Sequence, residues 1–300
     1  GDVYKRQYVH PFLRRNNWCA RSLMLCGNFN MTNVDEIFKS VVEKGQHPRI
    51  YSDTVIILEQ LGYALDKENS RLYHQYLKEG IDGVECTRAI EDNLDIKRVL
   101  AEAAPGWDGG YVICGALGSG DMWALRDPHG IRPAFYYYDD EIVVVASECP
   151  VIQTVMNVRR CQVKELTPGS AIIVGKSGKV TVTDVLGEQE NRRCSFERIY
   201  FSRGSDAAIY RERKALGRNL VDKILNAVDY DLRHSVFSFI PNTAEVAFIG
   251  MIEGLERHLY ASKAVRIEEL AGEGALTHEA VMEVMGEKLR IETVSYTHLR

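Results

Sequence analysis

Apolar residues recur along this chain in two rhythms, and the order of the rhythms is the first clue to its fold. Ser22–Leu25 is a short apolar run that reads as a strand. Val34, Ile37, Phe38, Val41 and Val42 then fall at i, i+3, i+4, i+7 and i+8, one stripe of a helix. Thr32 or Asn33 can cap that helix, Asp35 and Glu36 sit in its positive first turn, and Gly45 suits its C-terminal end. Ser52 or Asp53 opens a second helix through Val55, Ile56, Leu58 and Leu61, predicted to end at Gly62. Residues 67–79 and 92–104 read as further amphipathic helices, the latter capped by Asp92 or Asn93. From Tyr111 the period becomes two. Tyr111–Ala116, Asp121–Leu125, Ala134–Tyr138 and Glu141–Ser147 read as strands, the last two closed into a hairpin by Asp139-Asp140. Ser170–Val174 and Lys179–Val185 make another hairpin around Gly175-Lys176-Ser177-Gly178. Helices clustered on antiparallel strands predict an α+β layered domain rather than alternating βαβ units.

The pattern breaks at residues 186–195, which are polar and charged and read as a linker. Beyond it Glu197–Ser202 is strand-like, Tyr210–Val228 a long helix, Ser235–Ile240 a buried strand ended by Pro241, and Ala244–Tyr260 again helix. Residues 265–290 look helical. Strand, loop and helix in that order predict the start of an α/β domain. The expected division is therefore a first domain at 8–185, a linker at 186–195 and a second domain at 196–292. Residues 1–7 and 293–300 continue no periodic pattern and read as non-native ends, so the chain is expected to be an internal piece of a longer protein.

Composition narrows the class. Forty-five per cent hydrophobic and 26% charged residues are enough for a sizeable core in a soluble globular chain. A net charge of -5 carries no basic footprint, which argues against a nucleic-acid partner. No apolar run has the length of a membrane span. The seven cysteines, at 19, 26, 86, 114, 149, 161 and 194, are odd in number, scattered and without a CxxC pair. They predict reduced thiols in the cytoplasm rather than a disulfide framework or a zinc site. His74, His129 and His258 form no ligand spacing, and no metal site is expected.

The densest motif is Arg126-Asp-Pro-His-Gly-Ile-Arg-Pro133, between two strand-like runs. Pro128 and Pro133 restrict φ and Gly130 permits a turn, so a charged turn closing a hairpin is one reading. The string also resembles the RDP-x-GIRP fingerprint of the amidophosphoribosyltransferases, which join a class II glutamine amidotransferase domain to a phosphoribosyltransferase domain. Other segments resemble that family in the same order. Asn28-Phe29-Asn30-Met31-Thr32-Asn33 is similar to its Asn-Gly-Asn-Leu-Thr-Asn loop, and Ser52-Asp53 to its Ser-Asp pair before a helix. Ala146-Ser147-Glu148 and Leu166-Thr167-Pro168-Gly169-Ser170 match further family turns. Phe196-Glu197-Arg198-Ile199-Tyr200-Phe201-Ser202-Arg203 resembles the entry to the family's second domain, and Ile240-Pro241-Asn242-Thr243-Ala244-Glu245 the loop after that domain's first strand.

The resemblance implies a fold and a chemistry. The fold would be an N-terminal-nucleophile-type αββα layered domain, incomplete at its N-terminus, followed by the first part of an α/β type I phosphoribosyltransferase domain. The intact family is a glycosyltransferase of de novo purine biosynthesis. It hydrolyses glutamine to ammonia and transfers that to phosphoribosyl pyrophosphate, giving phosphoribosylamine. By resemblance, Asn28 would supply a side-chain amide and Phe29 a backbone N–H to the oxyanion, and Asp53 would pair with the α-ammonium of glutamine. A second register would place Cys26 and Gly27 at the first two positions. Arg126, Asp127, Gly130 and Arg132 would be family-motif residues with a structural role. The family's nucleophile is an N-terminal cysteine, whereas Gly1 stands first here, so the chain as given is expected to be inactive as a glutaminase. Mg2+ would serve the intact transferase domain, with no site in this chain. No iron–sulfur cluster is expected at Cys194, since one cysteine cannot hold one. A homo-oligomer is expected. Another class II amidotransferase, such as a glucosamine-phosphate synthase, and a non-catalytic regulatory relative stay open as alternatives.

Overall fold

The structure, a computed structural model, describes residues 10–292. The stretches read as non-native ends, 1–7 and 293–300, lie outside these residues. The chain divides into two compact units, Gly1–Cys194 and Ser195–Arg300.

The first unit is built on a six-stranded antiparallel sheet. Its strands are β1 (Phe12–Arg14), β2 (Leu23–Met31), β3 (Gly109–Leu117), β4 (Met122–Arg126), β8 (Ser170–Val174) and β9 (Val180–Asp184), in the order β1-β2-β3-β4-β8-β9. A smaller sheet, β6-β5-β7, is made of β5 (Phe135–Tyr138), β6 (Val143–Ala146) and β7 (Lys164–Glu165). One face of the large sheet is covered by α1 (Val34–Glu43), α2 (Asp53–Lys78) and α4 (Ile96–Ala103). Leu25, Tyr111, Ile113 and Leu125 on that face pack with Ile37, Val41, Ile57, Leu61 and Leu100 of the helices in the main core. The other face packs on the small sheet through Ala124, Ala134, Tyr136, Leu166 and Ile172. The far face of the small sheet is closed by α5 (Cys149–Met156), where Cys149 and Ile152 meet Phe135, Tyr137 and Val144. Helix, sheet, sheet and helix therefore stack as four layers, as the αββα expectation has it. Alternation along each strand makes this possible, since successive side chains serve opposite layers.

Several boundaries differ from the sequence reading. The second helix does not stop at Gly62: α2 runs 26 residues, from Asp53 to Lys78, and takes in the segment at 67–79. Gly62 is there because the Arg14 side chain crosses the helix at that point. A Cβ on Gly62 would lie 2.4 Å from Arg14 Nε, and Arg14 reaches over to pair with Asp66 at 2.5 Å. The helix expected at 92–104 starts later, as α4, because Asp95 rather than Asp92 or Asn93 caps it by accepting from the Arg98 N–H at 3.0 Å, and a separate helix, α3 (Gly83–Asn93), precedes it. The strand at Ser22–Leu25 continues to Met31, paired residue by residue with β3. The central motif closes no hairpin. It carries the chain from β4 in the large sheet to β5 in the small one. Residues 186–194, read as a linker, are held along that motif by main-chain bonds from Gln189, Arg192 and Cys194 N–H to the carbonyls of Pro128, His129 and Ile131. Arg193 adds an ion pair to Glu165.

The second unit is mainly helical. It contains α6 (Ala207–Asn219), α7 (Val221–Ala227), α8 (Glu245–Gly272) and α9 (His278–Gly286), with a core of Val221, Leu225, Leu232, Phe237 and Leu255. Two short strands, β10 (Val236–Phe237) and β11 (Arg290–Ile291), pair in parallel. Glu197–Phe201, expected as a strand, is a single π-helical turn, and the strand expected at Ser235–Ile240 shrinks to β10. A strand of a parallel sheet is stabilised by neighbours on both sides, and β10 has one among the described residues.

Candidate functional site

The motif corner is fastened by two buried charges. The Asp127 carboxylate is fully buried and accepts from the main-chain N–H groups of His129, Ile131 and Arg132 at 3.1, 2.9 and 3.0 Å. A further N–H, from Tyr111, lies at 3.4 Å. A carboxylate is the one common side chain that can take several inward-pointing donors at once. Arg126 is equally buried. Its guanidinium donates to the Arg132 carbonyl at 2.8 Å, to Leu166 O at 2.5 Å, to Gly130 O at 3.3 Å and to Glu165 Oε1 at 2.9 Å. Glu165 belongs to β7, so this arginine rivets the small sheet to the large one. Gly130 turns with φ +64, a conformation that L side chains resist. The motif thus holds the layers together, through main-chain bonds and the Arg126–Glu165 ion pair.

The segment Asn28–Asn33 is strand up to Met31, not loop. Leu23, Leu25 and Met31 are buried toward the helices. Alternation from them places Phe29 on the helix side and Asn28 on the inter-sheet side. The Phe29 ring packs against the main core and meets the His10 ring edge-on at 5.8 Å. Its bulk is therefore directed away from the face that carries the Asn28 amide. The segment ends in a knot: Asn33 donates to the Gly106 carbonyl at 2.9 Å and accepts from the Asp108 N–H at 3.1 Å, while Thr32 Oγ1 donates to Asp108 at 2.5 Å. Neither residue uses its side chain to cap α1.

Main-chain direction matters as much as side-chain direction. Thr32 N–H donates to Asp108 O and Gly118 N–H to Ser22 O. In an antiparallel ladder such bonded pairs alternate with pairs whose polar groups point outward. Hence Gly27, Phe29 and Met31 turn their N–H and C=O groups away from β3. β1 pairs with β2 only at Leu23–Leu25. Among the described residues the edge of β2 from Cys26 to Met31 is thus open, and the Phe29 N–H lies on it. The rival register places Gly27 N–H on the same edge.

Asp53 lies at the start of α2, in the helix layer. Ser52 is the cap, its Oγ accepting from the Val55 N–H at 3.3 Å. Asp53 Oδ1 accepts from Thr54 N–H at 2.7 Å. Among the described residues no hydrogen bond joins Asn28 to Asp53. The first projects to the inter-sheet face and the second starts a helix on the other face, so the pocket expected between them is not formed by direct contact. Sequence reasoning missed two features here: the open edge and the pairing of Cys26 with Cys114. Both depend on strand register, which a single strand does not encode. Among the described residues no cluster of three or more His, Cys, Asp or Glu could hold a metal ion, and no helix is long and apolar enough to cross a membrane.

No family model matches the chain. Curated relatives do. An Escherichia coli amidophosphoribosyltransferase is 27% identical over 232 residues, covering 74% of this chain and 42% of its own length. The Saccharomyces cerevisiae amidophosphoribosyltransferase is 25% identical over 215 residues, covering 67% and 38%. That of Pyrococcus horikoshii is 25% identical over 167 residues, covering 52% and 34%. The chain is a relative of the amidophosphoribosyltransferases. It spans about two-fifths of the length of the first two of these relatives. Solved structures agree in fold. A glutamine phosphoribosylpyrophosphate amidotransferase from B. subtilis, complexed with ADP and GMP, superposes with a TM-score of 0.57 at 22% identity, over 84% of this chain and 48% of that one. A structure described as the allosteric regulatory enzyme of purine biosynthesis gives 0.55 at 23% identity, over 83% and 46%.

Proposed function

We propose that the first unit is the glutamine-handling domain of an amidophosphoribosyltransferase and that the second is the first part of its phosphoribosyltransferase domain. The whole protein would release ammonia from glutamine and transfer it to phosphoribosyl pyrophosphate, giving phosphoribosylamine for purine synthesis. The observation that carries this reading is the edge of β2, open among the described residues. Amide hydrolysis needs donors aimed at the oxyanion of the tetrahedral intermediate. A main-chain N–H at Phe29, on an edge that no strand pairs among the described residues and beside the Asn28 amide, is such a donor. The Phe29 ring is packed against the helix-side core, away from the face of the Asn28 amide, which weakens the case for a non-catalytic relative. Seven free thiols support a reducing compartment, the cytoplasm. Mg2+ belongs, on this reading, to the remainder of the transferase domain.

Asn28→Ala in the full-length protein tests it. Loss of one oxyanion donor lowers the glutamine-dependent kcat by about 10²–10³-fold, while transfer from added ammonia is retained. Equal loss of both activities, or retention of both, overturns the assignment.

A further inference from the structure

The inter-sheet face carries a pair of groups that the amide chemistry does not use. Cys26 and Cys114 stand directly opposite each other on β2 and β3. They occupy a hydrogen-bonded position of the ladder, by the alternation derived above, where Cα atoms lie about 5.5 Å apart. That is inside the span of about 4.4–6.8 Å that a disulfide bridges. Both side chains emerge on the same face and line an apolar cavity of about 250 Å³ with Met24, Ala116, Ala124 and Val145. Cys26 is exposed and Cys114 half-buried. None of the other five cysteines faces a second one across a ladder among the described residues.

The geometry points to a thiol-modification site: we infer that Cys26 is an attacking thiol and Cys114 its resolving partner, taking a low-molecular-weight disulfide and closing to a cross-strand bridge. The chemistry of the pair supports the division of labour. The Cys114 S–H donates to Cys26, which holds the Cys26 thiol down to about 6, while the same bond and burial push Cys114 up. Cys26 is then the thiolate at neutral pH, and the thiolate is the nucleophile. It attacks one sulfur of the small disulfide, forming a mixed disulfide at Cys26 and releasing one thiolate, which takes a proton from water. Cys114 gives its proton to water and attacks Cys26 Sγ, releasing the second small thiolate. Two protein thiols are oxidised and one disulfide is reduced to two thiols. The bridge would pin β2 to β3 two residues before Asn28, so oxidation is sensed on the strand of the candidate site. The inference does not depend on the amidotransferase reading.

The test uses the full chain, oxidised glutathione at neutral pH, alkylation of remaining thiols and peptide mass mapping. The expected product has lost two hydrogens and yields a Cys26–Cys114-linked peptide. Cys114→Ser accumulates one glutathione on Cys26, and Cys26→Ser acquires none at Cys114. The inference is overturned if both thiols remain alkylatable after oxidation or if the linked peptide contains another cysteine. It is equally overturned if Cys26 in Cys114→Ser is modified no faster than the exposed Cys19 and Cys161.

Discussion

The two faces of the large sheet share six strands and almost nothing else. Toward the helices the strands present large residues, Leu25, Tyr111, Ile113, Trp123 and Leu125, which pack against helix side chains in one core. Toward the small sheet the same strands present Cys26, Cys114, Ala116 and Ala124, and a cavity is left between the layers. Alternation lets one backbone carry both programmes. The helix-side face provides stability, and the inter-sheet face carries Asn28, the thiol pair and the small side chains that leave room for chemistry. What joins them is the corner at Arg126 and Asp127, which anchors the small sheet at one end and leaves the middle open.

That contrast can be broken in order of size. The largest effect is expected from Asp127→Ala. It strips the acceptor from three main-chain donors at once, and each donor left without a partner away from water costs about 1–3 kcal/mol. Urea unfolding of the first unit should report it, and a loss below about 1 kcal/mol would show that the corner is not what holds the layers. Next comes Leu25→Ala, on the closed face. Truncating a fully buried leucine costs about 2–5 kcal/mol. Ala116→Val, on the open face, has cavity to grow into and should change stability by less than about 1 kcal/mol. If the two variants unfold at the same urea concentration, the faces are packed alike and the contrast is lost.

The smallest effect is one of titration. With its thiol held down to about 6 by Cys114, Cys26 should be alkylated by iodoacetamide at a rate that levels off above neutral pH and falls as pH drops through about 6. An ordinary thiol keeps accelerating up to about pH 8.5. Cys114→Ser removes the donor and should move the Cys26 profile upward. A Cys26 profile that matches those of Cys19 and Cys161 would remove the electronic difference between the two cysteines.

Much of this molecule is already present in its residue pattern. The stripe from Val34 to Val42, the period-two run from Tyr111 and the hairpin turns at Asp139 and Gly178 follow from the local preference of each segment to bury one side. The ordered motifs, from Asn28 through Arg126 to Ile240, point to the family that the curated relatives share. Other features could not be read locally. The motif at Arg126 looks like a hairpin turn because strands flank it, and only the layering shows that those strands belong to different sheets. Gly62 looks like a helix end because nothing nearby in sequence announces the arginine that crosses it from residue 14. Asn28 and Asp53 look like partners because they share a family order, yet strand alternation and helix placement send them to different faces. The edge at Phe29, open among the described residues, and the facing thiols at Cys26 and Cys114 are properties of register. A chain's own sequence determines which side of a strand each residue serves, because that depends only on the period of two. Which residue stands opposite it is decided by how two distant segments align, and that is settled only when the whole sheet closes on its core.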